Sequence, residues 1–135
     1  MASFQKILLQ TNLQMEWVDI TRQVEEAIRS GADDHSSSAV LVYCPHTTAG
    51  VAVNEGWDPD VAGDLERALK ALVPQLRYRH QEGNSPAHLL SVLTGNSIVL
   101  PLNEDGRLRL GRWQKVFFCE YDGPRQREIW LQLLS

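Results

Sequence analysis

Strand-like runs fill the last third of the chain, and the links that join them are short. Residues 97–102, 113–121 and 127–134 are rich in the branched and aromatic side chains that strands favour. The link at Asp122-Gly123-Pro124 is made of turn-forming residues. Parallel strands need a long crossover, and this part of the chain has no room for one. The pattern therefore predicts an antiparallel sheet, with residues 113–121 and 127–134 as a candidate hairpin and 107–110 as a further strand.

Three helices are predicted upstream of that sheet. The clearest begins at Pro59 and is ended by Pro74, because Asp58 is an N-cap, Pro59 occupies the first helical position and apolar residues recur at helical spacing. Thr21 is the predicted N-cap of a helix over residues 22–30. Ser85 is the predicted cap of a short helix that ends before a glycine.

The remaining apolar runs complete the predicted architecture. Residues 39–44 indicate a central strand buried on both faces, and residues 4–13 and 16–20 indicate two more strands. With strands towards both ends and helices between them, the fold class is α+β. We expect a single domain over residues 1–135, with a mainly antiparallel sheet and helices on one side.

The charge balance excludes some partners and leaves others open. A net charge of -4 argues against nucleic acid or an anionic membrane as a partner. The last third carries more basic than acidic side chains, mostly arginine, which suits phosphate or carboxylate ligands. No apolar run is long enough to cross a membrane, and the N-terminus lacks a signal-peptide pattern. We expect a cytoplasmic protein whose two cysteines are buried thiols.

Three of the four histidines lie among polar residues that favour a site. His46 follows the central strand, His80 lies in a polar segment, and His88 is in the first turn of the third helix. Three converging imidazoles would make an open metal site with a position for water or substrate. From spacing alone, ordinary surface or core histidines remain the alternative. His35 lies in a polar loop and is expected to be solvated.

Hydroxyl, carboxamide and carboxylate side chains are the other candidates. They are Thr47, Thr48, Asn54, Glu55, Glu82 and Asn84. A carboxylate beside a ligating histidine orients it or acts as a general base, whereas ordinary turn chemistry is the simpler explanation of the Asn-Glu and Gly-Asn pairs. Arg125 and Arg127 share strand parity and can form an anion clamp on one face, or else they line a solvated sheet edge.

Taken together, these motifs resemble the YjbQ-like family. The motifs that carry the resemblance run in order along nearly the whole chain: His46-Thr-Thr-Ala, Asn54-Glu55, Asp58-Pro-Asp-Val with Asp64, Gly83-Asn84 with His88, Leu110-Gly-Arg-Trp-Gln114 and Asp122-Gly-Pro-Arg-Gln-Arg127. The family, formerly uncharacterised, was later named for secondary thiamine-phosphate synthase activity. The resemblance implies an α+β domain that assembles as a homotrimer.

The resemblance also implies a site and a reaction. A divalent metal, with zinc as the first expectation, would be held by His46, His80 and His88. Asn54, Glu55 and Glu82 are the catalytic candidates, and the substrate or anion ligands expected here are Thr47, Thr48, Asn84, Gln114, Arg125 and Arg127. The implied activity joins hydroxymethylpyrimidine diphosphate to thiazole phosphate, giving thiamine phosphate and diphosphate. Two alternatives stay open: a metal-assisted hydrolase, or a non-catalytic trimer that binds a metal or a phosphorylated metabolite.

Overall fold

The computed structural model describes residues 4–31 and 37–135, so the predicted solvation of His35 lies outside the described residues. Helices and strands alternate irregularly along the chain. In order they are β1 (Phe4–Gln10), β2 (Glu16–Asp19), α1 (Thr21–Gly31), β3 (Ala39–Tyr43), β4 (Ala49–Glu55), α2 (Pro59–Leu72), α3 (Ser85–Thr94), β5 (Ser97–Pro101), β6 (Gln114–Glu120) and β7 (Gln126–Leu134). The α+β class predicted from the sequence is confirmed.

The strands form two antiparallel sheets, where one was predicted. The four-stranded sheet has the order β1-β7-β3-β5, and the three-stranded sheet has the order β2-β6-β4. The predicted hairpin is wrong, because β6 and β7 belong to different sheets and the turn between them carries the chain from one to the other. Both strands still bury alternate residues in one core, which explains why they look like hairpin partners in the sequence.

One main core lies between the two sheets and α1. Val40 and Val42 of β3 and Ile129 and Leu131 of β7 enter it from the four-stranded sheet, and Phe118 of β6 enters it from the other sheet. All five are at most 1% exposed. Side chains of this size, buried in a close-packed interior, supply the main driving force for the fold.

Helices α2 and α3 cover the outer face of the three-stranded sheet. Phe117, Cys119 and Tyr121 point outwards from β6 and its end, and they form a second cluster with Ala87 and Leu90 of α3. Helices α2 and α3 therefore lie together on one side of this sheet, whereas α1 packs into the main core through Val24 and Ile28. Cys119 is buried in the second cluster and Cys44 in the main core, and both are free thiols, as expected.

The outer face of the four-stranded sheet has no such cover. Its exposed apolar side chains include Phe4 at 50%, Leu8 at 76% and Val99 at 59%. The prediction that residues 39–44 are buried on both faces is wrong for the single chain, since Val42 is fully buried but Tyr43 is 36% exposed. Among the described residues, α1 and the second sheet pack against the inner face of the four-stranded sheet, and nothing packs against its outer face.

Local capping follows the sequence at one helix and departs from it at two. The Asp58 side chain accepts a hydrogen bond from Asp60 N at 2.9 Å, so α2 begins as predicted. Thr21 lies inside α1, and its hydroxyl accepts a bond from Val116 N at 2.8 Å across the core instead of capping. The cap position of α3 is Asn84, one residue before the predicted Ser85.

Two polar segments also differ from prediction. Residues 107–110 make only an isolated bridge, between Leu108 and Leu102, where a strand was predicted. Asn54 and Glu55 end a regular strand where a turn was predicted. For Asn54 and Glu55, pairing with the distant strand β6, which local composition does not report, decided the conformation.

Candidate functional site

Two links between the sheets meet at one end of the molecule. Residues 44–48 connect β3 to β4, and residues 121–125 connect β6 to β7. Tyr121 N donates to Thr48 O at 3.2 Å, which joins the two links directly. The segment between α2 and α3 reaches the same end, because Asn84 donates through its side chain to Asp122 at 3.0 Å.

A cavity of about 470 Å³ opens between these segments. It is lined by Pro45, His46, Thr47, Thr48, His80, Glu82, Asn84, His88, Arg125 and Arg127. All of the site residues predicted from the sequence, except three, therefore share one cavity. We refer to it as the histidine cavity.

The three exceptions are Asn54, Glu55 and Gln114. The strands β4 and β6 are paired side by side. Ala49 pairs with Glu120 at the end next to the cavity, and Glu55 pairs with Gln114 at the other end, where the three exceptions lie. Six strand residues at about 3.3 Å each put roughly 20 Å between the two ends. In the single chain these three residues therefore do not lie beside the histidines, and their predicted roles stay predictions. Their side chains instead accept hydrogen bonds from the local backbone.

His46 is held by the backbone of β7. Its Nε2 lies 2.9 Å from Glu128 N and 3.1 Å from Glu128 O, so this nitrogen is occupied and Nδ1 is the remaining one. Burial first, and then the positive charge of Arg127, lower the pKa of His46 below its ordinary value. The ring is therefore neutral at neutral pH, the form in which histidine accepts a hydrogen bond or binds a metal.

The rings of His80 and His88 lie next to each other in the lining of the cavity. Their ring centroids are 5.7 Å apart and the rings are nearly perpendicular. Glu82 brings a carboxylate oxygen to 4.0 Å from His80 Nε2. A carboxylate beside an imidazole can orient the ring or hold a proton on it.

The donors around the cavity suit a divalent metal, although they do not form a closed site. When His46 Nε2 carries the proton and donates it to the Glu128 carbonyl, Nδ1 is left unprotonated, which is the usual arrangement of a ligating histidine. Within residues 4–31 and 37–135, however, no three His, Cys, Asp or Glu side chains are arranged to hold a metal ion. The chemistry of the donor set fits, whereas the spacing in the isolated chain does not complete the coordination.

Arg127 is anchored by a buried carboxylate that the sequence analysis missed. Glu120 is 0% exposed and receives two hydrogen bonds from the Arg127 guanidinium, one of them from Nε at 2.8 Å. Arg127 Nη2 also donates to the Thr48 hydroxyl at 2.9 Å. Thr11, 1% exposed, donates to Glu120 at 2.8 Å. The signal available in the sequence was a single acid, Glu120, in an otherwise apolar run.

These contacts set the ionisation of Glu120. Burial by itself would raise the pKa of the carboxyl, but the bonds from Arg127, Asp122 N and Thr11 outweigh it and hold the pKa below its ordinary value. The pair is therefore fully charged at neutral pH. Much of the Arg127 charge is neutralised before any ligand arrives.

Arg125 is the more accessible of the two arginines. Its side chain is 50% exposed and donates to Asp122 through Nη2 at 3.0 Å and through Nε to the Asp122 carbonyl at 2.9 Å. The same carboxylate holds the Asn84 amide nitrogen. The Asn84 oxygen is buried and has no hydrogen-bond partner among the described residues, so the site has an unused acceptor.

Comparison with known proteins gives a consistent result. The family model described as UPF0047 protein YjbQ-like matches residues 5–135. The UPF0047 protein YugU of Bacillus subtilis is 42% identical over 129 residues, which are 94% of this chain and 96% of that protein. The conserved hypothetical protein TT1486 of Thermus thermophilus superposes with a TM-score of 0.86 at 46% identity, covering 96% of this chain and 99% of its own.

A second solved structure shows how far the fold extends. A YbjQ-like protein of unknown function from Sulfolobus solfataricus has a TM-score of 0.89 at 32% identity, covering 100% of this chain and 98% of its own. No helix in the part of the chain that the structure describes is long and apolar enough to span a membrane.

Proposed function

The chain belongs to the UPF0047 YjbQ-like family, and from that premise we propose that it is a metal-dependent enzyme acting on phosphorylated small molecules, with secondary thiamine-phosphate synthase activity. One observation carries the proposal. A single cavity gathers three histidines, an accessible arginine and Asn84, whose side-chain oxygen has no partner among the described residues. Such convergence of polar groups is typical of a ligand site. We place the enzyme in the cytoplasm, where its two free thiols stay reduced.

The proposed reaction needs charge stabilisation more than proton transfer. The thiazole nitrogen, which carries no hydrogen, forms a bond to the pyrimidine methylene carbon, and the carbon–oxygen bond to diphosphate breaks with its electron pair. A divalent ion, with zinc as the first choice, held by His46, His80 and His88 would supply positive charge for the departing diphosphate. No proton is removed from the nitrogen, so no general base is required for this step.

The protein's own residues account for binding and orientation. The guanidinium of Arg125 lines the cavity and can donate two parallel hydrogen bonds to a phosphate, an arrangement that guanidinium groups favour. Thr47 lies beside His46 and makes no side-chain hydrogen bond to other described residues, so its hydroxyl is free to donate. Glu82 also lines the cavity, and its carboxylate would stabilise the positive charge that develops on the thiazole ring.

The assay supplies both precursors, with zinc, and measures thiamine phosphate. Replacing Arg125 by alanine is expected to raise the KM for thiazole phosphate about 10–100-fold, because a charged hydrogen bond is worth about 1.5–3 kcal/mol. Arg22→Ala is the matched control, since Arg22 is exposed on α1 and paired only with Glu26. The proposal fails if no product forms above background, or if both arginine variants behave alike.

Metal-assisted hydrolysis is the second candidate. The Glu82 carboxylate 4.0 Å from His80 Nε2 favours it, because a carboxylate near a metal ligand can accept a proton from water. Turnover of phosphate esters without a thiazole partner would favour hydrolysis over transfer. Tight binding without turnover of either kind would instead indicate the non-catalytic binding protein.

We further propose that the enzyme assembles as a homotrimer through the uncovered face of the four-stranded sheet. Exposed apolar faces of this kind mark interaction sites. Light scattering is expected to give three times the 15.3 kDa chain mass. Tyr43→Lys on that face should dissociate the assembly, whereas Leu72→Lys, on an exposed position of α2, should not. A monomeric wild-type protein would contradict the proposal.

A further inference from the structure

A second cavity, of about 400 Å³, adjoins the histidine cavity. Three residues line both: His46, Thr47 and His88. The rest of its wall comes from the end of α3 and the residues that follow, namely Ser91, Val92, Gly95 and Asn96. The shared residues put the two spaces side by side, so one ligand can occupy both.

The two cavities differ in charge. The histidine cavity contains Arg125, Arg127 and Glu82, whereas no Asp, Glu, Lys or Arg side chain lines the second one. Among the described residues, no carboxylate, ammonium or guanidinium group of that wall can pair with a charged group. The second cavity therefore suits an uncharged group.

The wall also offers specific contacts to such a group. Val92 is 79% exposed, which leaves an apolar surface that a bound ring can cover. The side chains of Thr47 and Asn96 make no hydrogen bond to other described residues, so both can bind ring substituents. Ser91 is already used, since its hydroxyl donates to Ala49 O at 2.6 Å.

We propose that the site takes its ligand in two parts, an anionic phosphate in the histidine cavity and a neutral heteroaromatic ring in the adjoining cavity beside Val92 and Asn96. This inference deepens the proposed function and rests on it only for the position of the phosphate. It assigns specificity for the ring to α3 and to the residues that follow it. Nothing in it requires turnover.

Calorimetric titration of the full chain with three probes tests this arrangement. The probes are inorganic phosphate, phenyl phosphate and pyridoxine 5′-phosphate. The wild-type protein is expected to bind both ring phosphates at least about tenfold more tightly than phosphate, since burying a ring contributes well over the 1.4 kcal/mol that a factor of ten needs.

A pair of neighbouring variants locates the ring. Val92→Trp fills the second cavity and should weaken both ring phosphates about tenfold while leaving phosphate unchanged. Leu93→Trp is the matched control, because Leu93 is 56% exposed on the same helix and does not line the cavity. Asn96→Leu should weaken pyridoxine phosphate, with its ring hydroxyls, more than phenyl phosphate. Thermal melting of all three variants checks that each one is folded.

The outcomes separate this inference from the proposed function. Equal affinity for phosphate and ring phosphates, no ring-phosphate binding, or equal effects of Val92→Trp and Leu93→Trp would overturn it. A ring preference that Val92→Trp abolishes supports it even if no thiamine phosphate is ever formed. In that case only the synthase proposal is lost.

Discussion

Replacing Glu120 by alanine is expected to lower the free energy of unfolding by about 3–5 kcal/mol, because it leaves the Arg127 guanidinium buried without its counter-charge. The Arg127 side chain is only 3% exposed, so water cannot replace the carboxylate. Removing the acid also takes away one of the two acceptors of the Thr11 hydroxyl, leaving the Arg125 carbonyl at 3.1 Å. Urea denaturation followed by circular dichroism measures the loss.

Two further variants show whether the buried charge is the cause. Glu26→Ala is the control, since Glu26 pairs with Arg22 at 3.6 Å and both side chains are substantially exposed; it should change stability by less than about 1 kcal/mol. The double variant Glu120→Leu with Arg127→Met removes both charges and should recover much of the loss. If the double variant is no more stable than Glu120→Ala, the unpaired charge is not the cause.

Acid titration of the wild-type protein tests the same pair independently. The pKa of Glu120 is held below its ordinary value of 4.5, so the folded state binds this proton less readily than the unfolded state. The stability from the pair is therefore complete above that ordinary pKa and is lost as the pH falls through the lower folded value. The double variant should lack this part of the acid dependence.

Replacing His88 by alanine is expected to reduce thiamine phosphate formation by at least about 100-fold, the effect of losing a supporting or ligating group at a metal site. His88 lies at the wall between the two cavities and faces His80 at 5.7 Å between ring centroids. Protein purified without chelator should then carry less than about 0.2 equivalents of divalent metal, against about one in the wild type, since an open site of three histidines loses its geometry with one ligand.

The control for this variant lies on the same helix. Leu93→Ala removes an exposed side chain that lines neither cavity, and it should leave metal content and rate unchanged. Elemental analysis and the assay that measures thiamine phosphate from the two precursors are run on the same preparations. Full metal content in His88→Ala, together with wild-type turnover, would exclude His88 from the site.

Local chemistry made several elements predictable. The start of α2 follows from Asp58 and Pro59, whose capping and fixed backbone angle act within a few residues. The strands β6 and β7 follow from their branched and aromatic side chains, and the structure moves their predicted ends by only a residue or so. Polar motifs at strand and helix ends marked most of the residues that line the histidine cavity, because such ends are where loops present binding groups.

Pairing between distant segments was not predictable in the same way. Side-chain composition shows that residues 114–120 form a strand but not which strand lies beside them, and β6 and β7 joined different sheets. For the same reason the distance between Glu55 and the histidines could not be predicted. Glu55 ends a strand of seven residues, β4, whose other end lies next to the cavity.

The sequence by itself determined the α+β class, the capped helix α2 and the residue types available for a site, because these depend on side-chain chemistry over a few neighbouring positions. Only the tertiary structure decided that two sheets, rather than one, enclose the core. It also decided that Arg127 is neutralised by Glu120 while Arg125 remains accessible. Burial and counter-charge are set by residues distant in the chain, and they decide which of two similar arginines is free to bind an anion.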